Sequence, residues 1–350
     1  MANRISIFFN GLPEFETMFR IAERLQARGR LEPVCFAPTQ VLRREPRLRA
    51  MIAQSGLNFT FRPNRFFKLF PGRYVRRADS NLCLVDPLID YGANFRRSSA
   101  IRKLGQKSVF LQHGVLQAAL NFKNEYFELP YYSSRILTFE DILDPAVLLD
   151  SDKEKLRIVG FIKTQLFPPR PPKTALPAHN RVVLFCHSFR WSKRYSQEEM
   201  DNFFQMVRDY ADRNPEDLVI LRGHRAKIRS VDKDQMYAFD DKENVIVSHD
   251  HSGPLKRMSI TDVLGLCDFC VTSASTAALD SVYMGKPTAL YEKEQQIYPH
   301  LQKVTDIETL EAFVSTPDQT GLQATIAHYG QLKDNIERAC EEIEDVLTSN

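Results

Sequence analysis

The residues best suited to chemistry are three closely spaced hydroxyls, Ser273, Ser275 and Thr276. They lie inside the stretch Asp262–Tyr291, DVLGLCDFCVTSASTAALDSVYMGKPTALY. That stretch reads as a helix ending near Leu266, an apolar strand over 269–272, the hydroxyl turn, and a helix running to about Gly285. A second apolar strand follows Lys286-Pro287. A turn between a strand and a helix N-terminus gathers free N–H groups and the positive end of the helix dipole, which suits an anion such as phosphate. Ser and Thr also cap helices with no ligand involved, and that is the plain alternative.

Other segments carry chemistry of the same kind. Gln112-His113-Gly114 follows the short apolar run Val109-Phe110-Leu111. His113 therefore falls where a parallel sheet presents its ligand face, and an imidazole there can take a proton from a hydroxyl. The alternative is a histidine that only ties down its loop. Arg222-Gly-His224 follows another apolar strand, with Arg225 and Lys227 behind it. This group either holds a phosphate by charge-assisted hydrogen bonds or is a solvated basic loop. His187, Ser188 and Arg190 follow a third strand and are expected to line the same face. His249, Asp250 and His251 read as a polar loop, because no further ligands complete a metal site. Cys267 and Cys270 form a C-x-x-C without a second half and read as buried strand residues.

Between Gln40 and Arg77 ten Lys/Arg face a single acid, Glu45. The part FRPNRFFKLFPGRYVRR mixes aromatics with Arg65, Lys68, Arg73, Arg76 and Arg77. Such a mixture lies well on an anionic membrane surface or a polyanion, which makes these five residues candidates for acceptor or membrane contact. It is equally compatible with aromatics that pack inward beneath solvated arginines. Pro63 and Pro71 exclude one long helix.

These residues need elements to position them. Strands at 5–9, 31–37, 82–85, 108–112, 136–139 and 157–159 alternate with helical stretches, the first running from Gly11 to Gly29. The second series has strands at 181–186, 218–222, 245–247, 269–272 and 288–291, with a helix over 197–214. Strand–helix alternation predicts an α/β fold with parallel sheets. The proline-dense run 166–179 reads as a linker, so the expected domains are 1–165 and 180–325. The last helical stretch, 322–347, falls mostly in a C-terminal segment, 326–350, that packs back on the first domain. In such sheets ligands bind outside the carboxyl ends of the strands, and the expected site is a cleft between the two domains.

At 350 residues the chain is long enough for two cores, and its net charge of +3 gives no general reason to expect a nucleic-acid partner. Six scattered cysteines fit a reducing compartment. The N-terminus enters a strand directly and no apolar run spans a bilayer. The expected location is cytoplasmic, peripheral at the inner face of the cytoplasmic membrane.

The order of these segments resembles the CDP-glycerol glycerophosphotransferase family of teichoic-acid and capsule synthesis, within the GT-B transferases. The resemblance runs from about Ser108 to Tyr291. Gln112-His113-Gly114 looks like the family's His-Gly motif, and Val159-Gly-Phe-Ile-Lys like the strand end that leaves the first domain. Leu184-Phe-Cys-His-Ser-Phe-Arg190 is similar to the segment that opens the donor domain, and Arg222-Gly-His224 to its basic-x-His-Pro element. Asp268 through Asp280 is similar to its Asp-x-x-x-Thr-Asp-Tyr-Ser-Ser segment. Ser273-Ala274 stands where the family has Asp-Tyr, and Arg225 stands where it has proline. CMP-sugar capsule transferases share the outline, so CMP, CDP and UDP donors all stay open.

The resemblance implies a GT-B fold and a glycosyl- or glycerophosphotransferase of bacterial surface polysaccharide (capsule, teichoic acid or lipopolysaccharide). His113 would be the base. His224 would act beside the donor, with His187, Ser188, Arg190, Arg222, Ser273, Ser275 and Thr276 binding it and Asp280 touching its ribose. The donor would be nucleotide-activated and the acceptor a saccharide or polyol phosphate, free or lipid-linked, with no metal and no other cofactor. A nucleotide-sugar 2-epimerase and a non-catalytic nucleotide-binding module fit the same outline and stay open beside it.

Overall fold

Short apolar strands and amphipathic helices alternate through two compact α/β units, Met1–Phe167 with Tyr329–Asn350, and Pro168–His328. The computed structural model describes residues 3–88, 95–117, 120, 130–141, 147–189, 195–223, 239–248, 254–292 and 297–348.

In unit 1 the chain runs β1 (Asn3–Phe8), α1 (Leu12–Arg28), β2 (Leu31–Pro38), α2 (Thr39–Arg44), α3 (Leu48–Ser55) and β3 (Asn58–Arg62). It continues through α4 (Asn64–Leu69), α5 (Pro71–Val75), β4 (Ser80–Cys83), α6 (Phe95–Lys103), β5 (Lys107–Leu111), β6 (Arg135–Thr138), α7 (Asp150–Lys153) and β7 (Leu156–Ile158). Among the described residues these strands form one sheet in the order β3-β2-β1-β4-β5-β6-β7, all parallel. Helices cover both faces, so the central strands are apolar on both sides, as in Ile5, Ile7, Val109, Phe110 and Leu111. The strand order reverses between β1 and β4.

The segment after β2 differs from the sequence expectation. Residues 58–62 form an edge strand, and the aromatic–basic run becomes two short helices that break at Phe70-Pro71. Proline at the first position of α5 has no N–H to donate, so one helix ends and another starts there. Phe67, Tyr74, Val75 and Ile101 pack inward against Phe8, Val34 and Phe36.

Unit 2 begins with the proline-dense segment, which has no regular structure but is fixed. Arg170 donates from its backbone N and its Nε to the two oxygens of Asp262, both at 3.0 Å. Then come β8 (Val182–His187), α8 (Gln197–Arg213), β9 (Leu218–Gly223), β10 (Val245–Ser248), α9 (Ile260–Leu264) and β11 (Phe269–Ser273). The remainder is α10 (Ala277–Val282), β12 (Thr288–Tyr291), β13 (Gln302–Lys303), α11 (Ile307–Ser315) and α12 (Gln319–Tyr329). The sheet order is β10-β9-β8-β11-β12-β13, again all parallel, and it reverses between β8 and β11. Ser196 and Glu199 form a capping box that starts α8. Cys267 and Cys270 are buried, and Cys267 Sγ donates to the Val263 carbonyl at 3.0 Å.

The terminal helical stretch is two helices rather than one. Gly330, at φ +79°, ends α12, and α13 (Leu332–Thr348) then packs on α1 of unit 1. Asn335, fully buried on α13, donates from Nδ2 to the carbonyls of Phe161 and Tyr329, both at 2.7 Å. Gly160, at φ +86°, lies so close to this side chain that a Cβ would overlap it. Arg28 Nε donates to the buried Glu344 at 2.9 Å. Asn335→Ala should remove two buried hydrogen bonds, the Tyr329 carbonyl keeping its bond from Phe161 N, and lower stability by about 1–3 kcal/mol in denaturant titration. The exposed neighbour Lys333→Ala should stay within about 0.5 kcal/mol of wild type.

Candidate functional site

In unit 2 the reversal of strand order falls between the ends of β8 and β11, and the predicted hydroxyl residues sit on those ends. Ser273 is fully buried. Its Oγ accepts from Ser188 N at 2.9 Å and lies 3.2 Å from Ser188 Oγ, which donates to the Ala274 carbonyl at 3.3 Å. Ala274 N donates to the Tyr195 hydroxyl at 2.9 Å, and the Tyr298 hydroxyl donates to the Ser275 carbonyl at 2.6 Å. The turn is held by three residues, Ser188, Tyr195 and Tyr298. Ser273 and Ser188 belong to its wall, while Ser275 and Thr276 are only partly buried. Thr276 sits at the N-cap of α10 but its side chain does not cap that helix. Ser275 Oγ accepts a long bond, 3.3 Å, from Ala277 N. Asp280 lies in the first turn of α10 and is half-buried.

Two other predicted donor-binding residues are tied into the fold. Arg222 is buried and its guanidinium donates to Ser248 Oγ at 2.8 Å and to the Met258 carbonyl at 2.9 Å. It braces β9 against β10 and the loop before α9. His187 ends β8 inside an aromatic group, with its ring stacked on Phe189 at 5.2 Å and edge-on to Phe204 at 5.2 Å. Arg190, His224, Arg225, Lys227, His249, Asp250 and His251 lie outside the described residues.

In unit 1, His113 stands two residues beyond β5 and is exposed. Its support is the neighbouring Gln112, which is 2% exposed. Gln112 Nε2 donates to the Gly114 carbonyl at 2.9 Å and its Oε1 accepts from Phe139 N at 2.7 Å. The His113 backbone N donates to Gln117 Oε1 at 3.1 Å. Desolvation by the surrounding protein lowers the His113 pKa to about 4, against a hydrogen bond to the Leu84 carbonyl that favours the charged form. Water reaches the ring, so the direction is what matters: the imidazole is neutral at pH 7. A neutral imidazole carries one N–H donor and one nitrogen with a free lone pair for a proton.

Asp86, two residues past Leu84, is fully buried. Its oxygens accept from Leu88 N at 2.9 Å, Tyr132 N at 3.0 Å, and Ser133 N and Oγ at 2.9 and 2.6 Å. It fixes the loop beyond β4 to the approach of β6. Arg97 of α6 stands over the Phe8 ring at 4.6 Å and reaches Asn10 Oδ1 at 3.5 Å. In the sequence Gln112 reads only as a member of its motif and not as the support of His113, and neither Asp86 nor Arg97 reads as part of this region. Asp86-Pro87 at the end of an apolar run was the available signal.

The basic residues of the aromatic–basic run, Arg65, Lys68, Arg73, Arg76 and Arg77, are all exposed. Arg77 also donates to Thr60 Oγ1 at 3.0 Å. The aromatics divide, with Phe67 and Tyr74 buried and Phe70 exposed. Among the described residues no group of three His, Cys, Asp or Glu side chains could hold a metal ion, and no helix is long and apolar enough to cross a membrane.

No protein-family model and no curated protein sequence matches the chain. Solved structures do match in fold. UDP-GlcNAc 2-epimerase from Neisseria meningitidis, bound to UDP-GlcNAc, aligns over 99% of this chain and 100% of its own, with 13% identity and a TM-score of 0.65. A UDP-N-acetylglucosamine 2-epimerase of Listeria monocytogenes, itself assigned without proof of activity, aligns over 100% and 98%, with 13% identity and a TM-score of 0.65. The wall teichoic acid polymerase TagF aligns over 99% of this chain and 88% of its own, with 11% identity and a TM-score of 0.54. The fold is therefore GT-B.

An NMR titration should place the His113 midpoint below 6.5. A midpoint at or above 6.5 would contradict the neutral imidazole. The sign for stability follows. Between the folded and unfolded pKa values the unfolded chain binds the extra proton, so the contribution is complete above about pH 6.5 and is lost as pH falls toward 4. Solvent access to the ring keeps the effect small, and His113→Gln should remove it.

Proposed function

We propose that the chain transfers a group from a nucleotide-activated donor to an acceptor hydroxyl during synthesis of a bacterial surface polysaccharide. The observation that carries this reading is His113, an exposed residue just past the end of β5 whose neutral imidazole has a nitrogen able to accept a proton. The nearby carboxylate that could compete for the role, Asp86, is buried and engaged by four donors.

In the proposed step the acceptor O–H gives its proton to His113 as its oxygen bonds to the electrophilic carbon or phosphorus of the donor. The bond to the nucleotide phosphate breaks, and the nucleotide leaves with the electron pair. Unit 2 binds the donor, with its phosphates at Ser275, Thr276 and the N–H groups of the turn. His224 and Arg190 are expected to join them. Neutralising the leaving phosphate supplies much of the rate, and the step uses no metal. The donor is of the CMP, CDP or UDP kind. The acceptor is a saccharide or polyol phosphate, carried on lipid at the inner face of the cytoplasmic membrane.

A second reading, a nucleotide-sugar 2-epimerase, is favoured by the fold likeness to UDP-GlcNAc 2-epimerases, whose TM-scores exceed those for TagF. The two reactions separate cleanly in an assay. CDP-glycerol, CMP-sugars and UDP-sugars should each be incubated with and without acceptor. Transfer gives nucleotide release that depends on an acceptor, and His113→Ala should lower kcat by about 10²–10⁴ while leaving nucleotide affinity nearly unchanged. Conversion of UDP-GlcNAc alone, with solvent deuterium entering the sugar, would establish the epimerase. Nucleotide binding without any turnover would overturn both.

A further inference from the structure

We propose that the outer face of α4, α5 and α6 is a docking surface for an anionic lipid bilayer, with Leu69, Phe70 and Phe95 entering its interface. This inference stands apart from the reaction assigned above.

The three helices pack on one another and against one side of the unit 1 sheet. Their inward residues, among them Phe67, Tyr74 and Ile101, are at most 9% exposed and are already satisfied by the core. Leu69, Phe70 and Phe95 are different, at 54%, 55% and 55% exposed. Of the five large apolar side chains that are exposed among the described residues, four lie on these helices or directly after them, the fourth being Leu104. Single exposed apolar residues are ordinary, whereas a concentration on one face is not.

Within the two segments that carry them, the charges are all of one sign. Residues 61–77 and 95–107 contain eleven Lys/Arg and no Asp/Glu. Arg65, Lys68, Arg73, Arg76, Arg96 and Lys103 are exposed. The first acid beyond this run, Asp79, accepts from the backbone N of Arg4 at the start of β1.

Exposed apolar tips within a uniformly cationic field match a surface that is negative outside and apolar beneath. The alternatives fit less well. A second copy meeting this face would bring like charges together. A soluble polyanion would satisfy the arginines but would offer nothing to Leu69. Each basic side chain near an anionic surface strengthens partition about fivefold, so six of them bind weakly and reversibly unless apolar insertion adds to them.

The test is vesicle flotation of the full chain. Wild type should float with vesicles holding about 30 mol% phosphatidylglycerol and not with pure phosphatidylcholine, and about 0.5 M salt should weaken the interaction. L69S/F70S/F95S should lower partition at least about tenfold while keeping its affinity for heparin, the soluble polyanion used as control. R65Q/K68Q/R73Q/R76Q should lower both. All these sites are exposed, so circular dichroism melts should match wild type, and F70S and F95S alone provide milder variants. Equal flotation of the apolar variant would overturn the proposal in favour of a polyanion surface. So would failure of wild type to float, or a dimer that the same substitutions dissolve.

Discussion

A parallel sheet that winds outward in both directions from its first strand cannot roof its own centre. The connections leaving the two central strands pass to opposite faces, so the carboxyl ends of those strands stay uncovered. In unit 2 these are β8 and β11. The backbone there still requires partners, and any side chain that supplies them also fills the opening. Small hydroxyls resolve the conflict. Ser188 and Ser273 join the two strand ends within a few ångströms and occupy little volume. Tyr195 and Tyr298 reach in from the sides to hold the next two residues. The turn is then held in place, and the two hydroxyl residues that follow, Ser275 and Thr276, are only partly buried.

The same division between residues that hold and residues that reach recurs throughout the candidate site. Arg222 has the charge to meet a phosphate, but its fork is committed to Ser248 and Met258. His187 has a titratable ring, but that ring is packed among aromatics. In unit 1, Gln112 is the holder and His113 the neighbour it frees. A side chain bonded both to Phe139, just past β6, and to its own loop leaves the next residue outside the packed layer with a fixed backbone. Rigid support of that kind allows an exposed group to act with geometric precision.

The sequence disclosed the parts governed by period and local chemistry. Apolar runs marked β8, β9, β11 and β12 to within a residue or two, because a parallel sheet buries both faces of its strands. The hydroxyl turn and Gln112-His113-Gly114 fell on strand ends for the same reason. Long-range pairing was not legible. Nothing local distinguishes Arg222, which braces β10, from an arginine waiting for a ligand. The two-residue strand β13 has too few positions to display a period. The helix pattern over 322–347 continued across Gly330 because the apolar spacing resumes on its far side, while the left-handed backbone at that glycine ends one helix and turns the chain into the next. Buried Asn335 would read as an ordinary polar helix residue until Phe161 and Tyr329 are seen to present their carbonyls to it.

One GT-B fold serves both transfer and epimerisation, so the choice between them rests on what the groups can do. Epimerisation at carbon must remove a hydrogen and return one to the opposite face of the sugar, which calls for proton-transfer groups on both sides. Transfer calls for one base and a place for the departing phosphate. At the β4 and β5 ends of unit 1, His113 is exposed and neutral, whereas Asp86 is enclosed by its donors. A base with a lowered pKa exerts only a modest pull on an O–H proton. It suits a loose transition state, in which bond breaking to the leaving group runs ahead of proton removal. In that case most of the barrier lowering must come from the groups that receive the phosphate. In the transfer proposed above that part would fall to the unit 2 turn, where Ser275 and Thr276 are only partly buried and Thr276 does not cap α10.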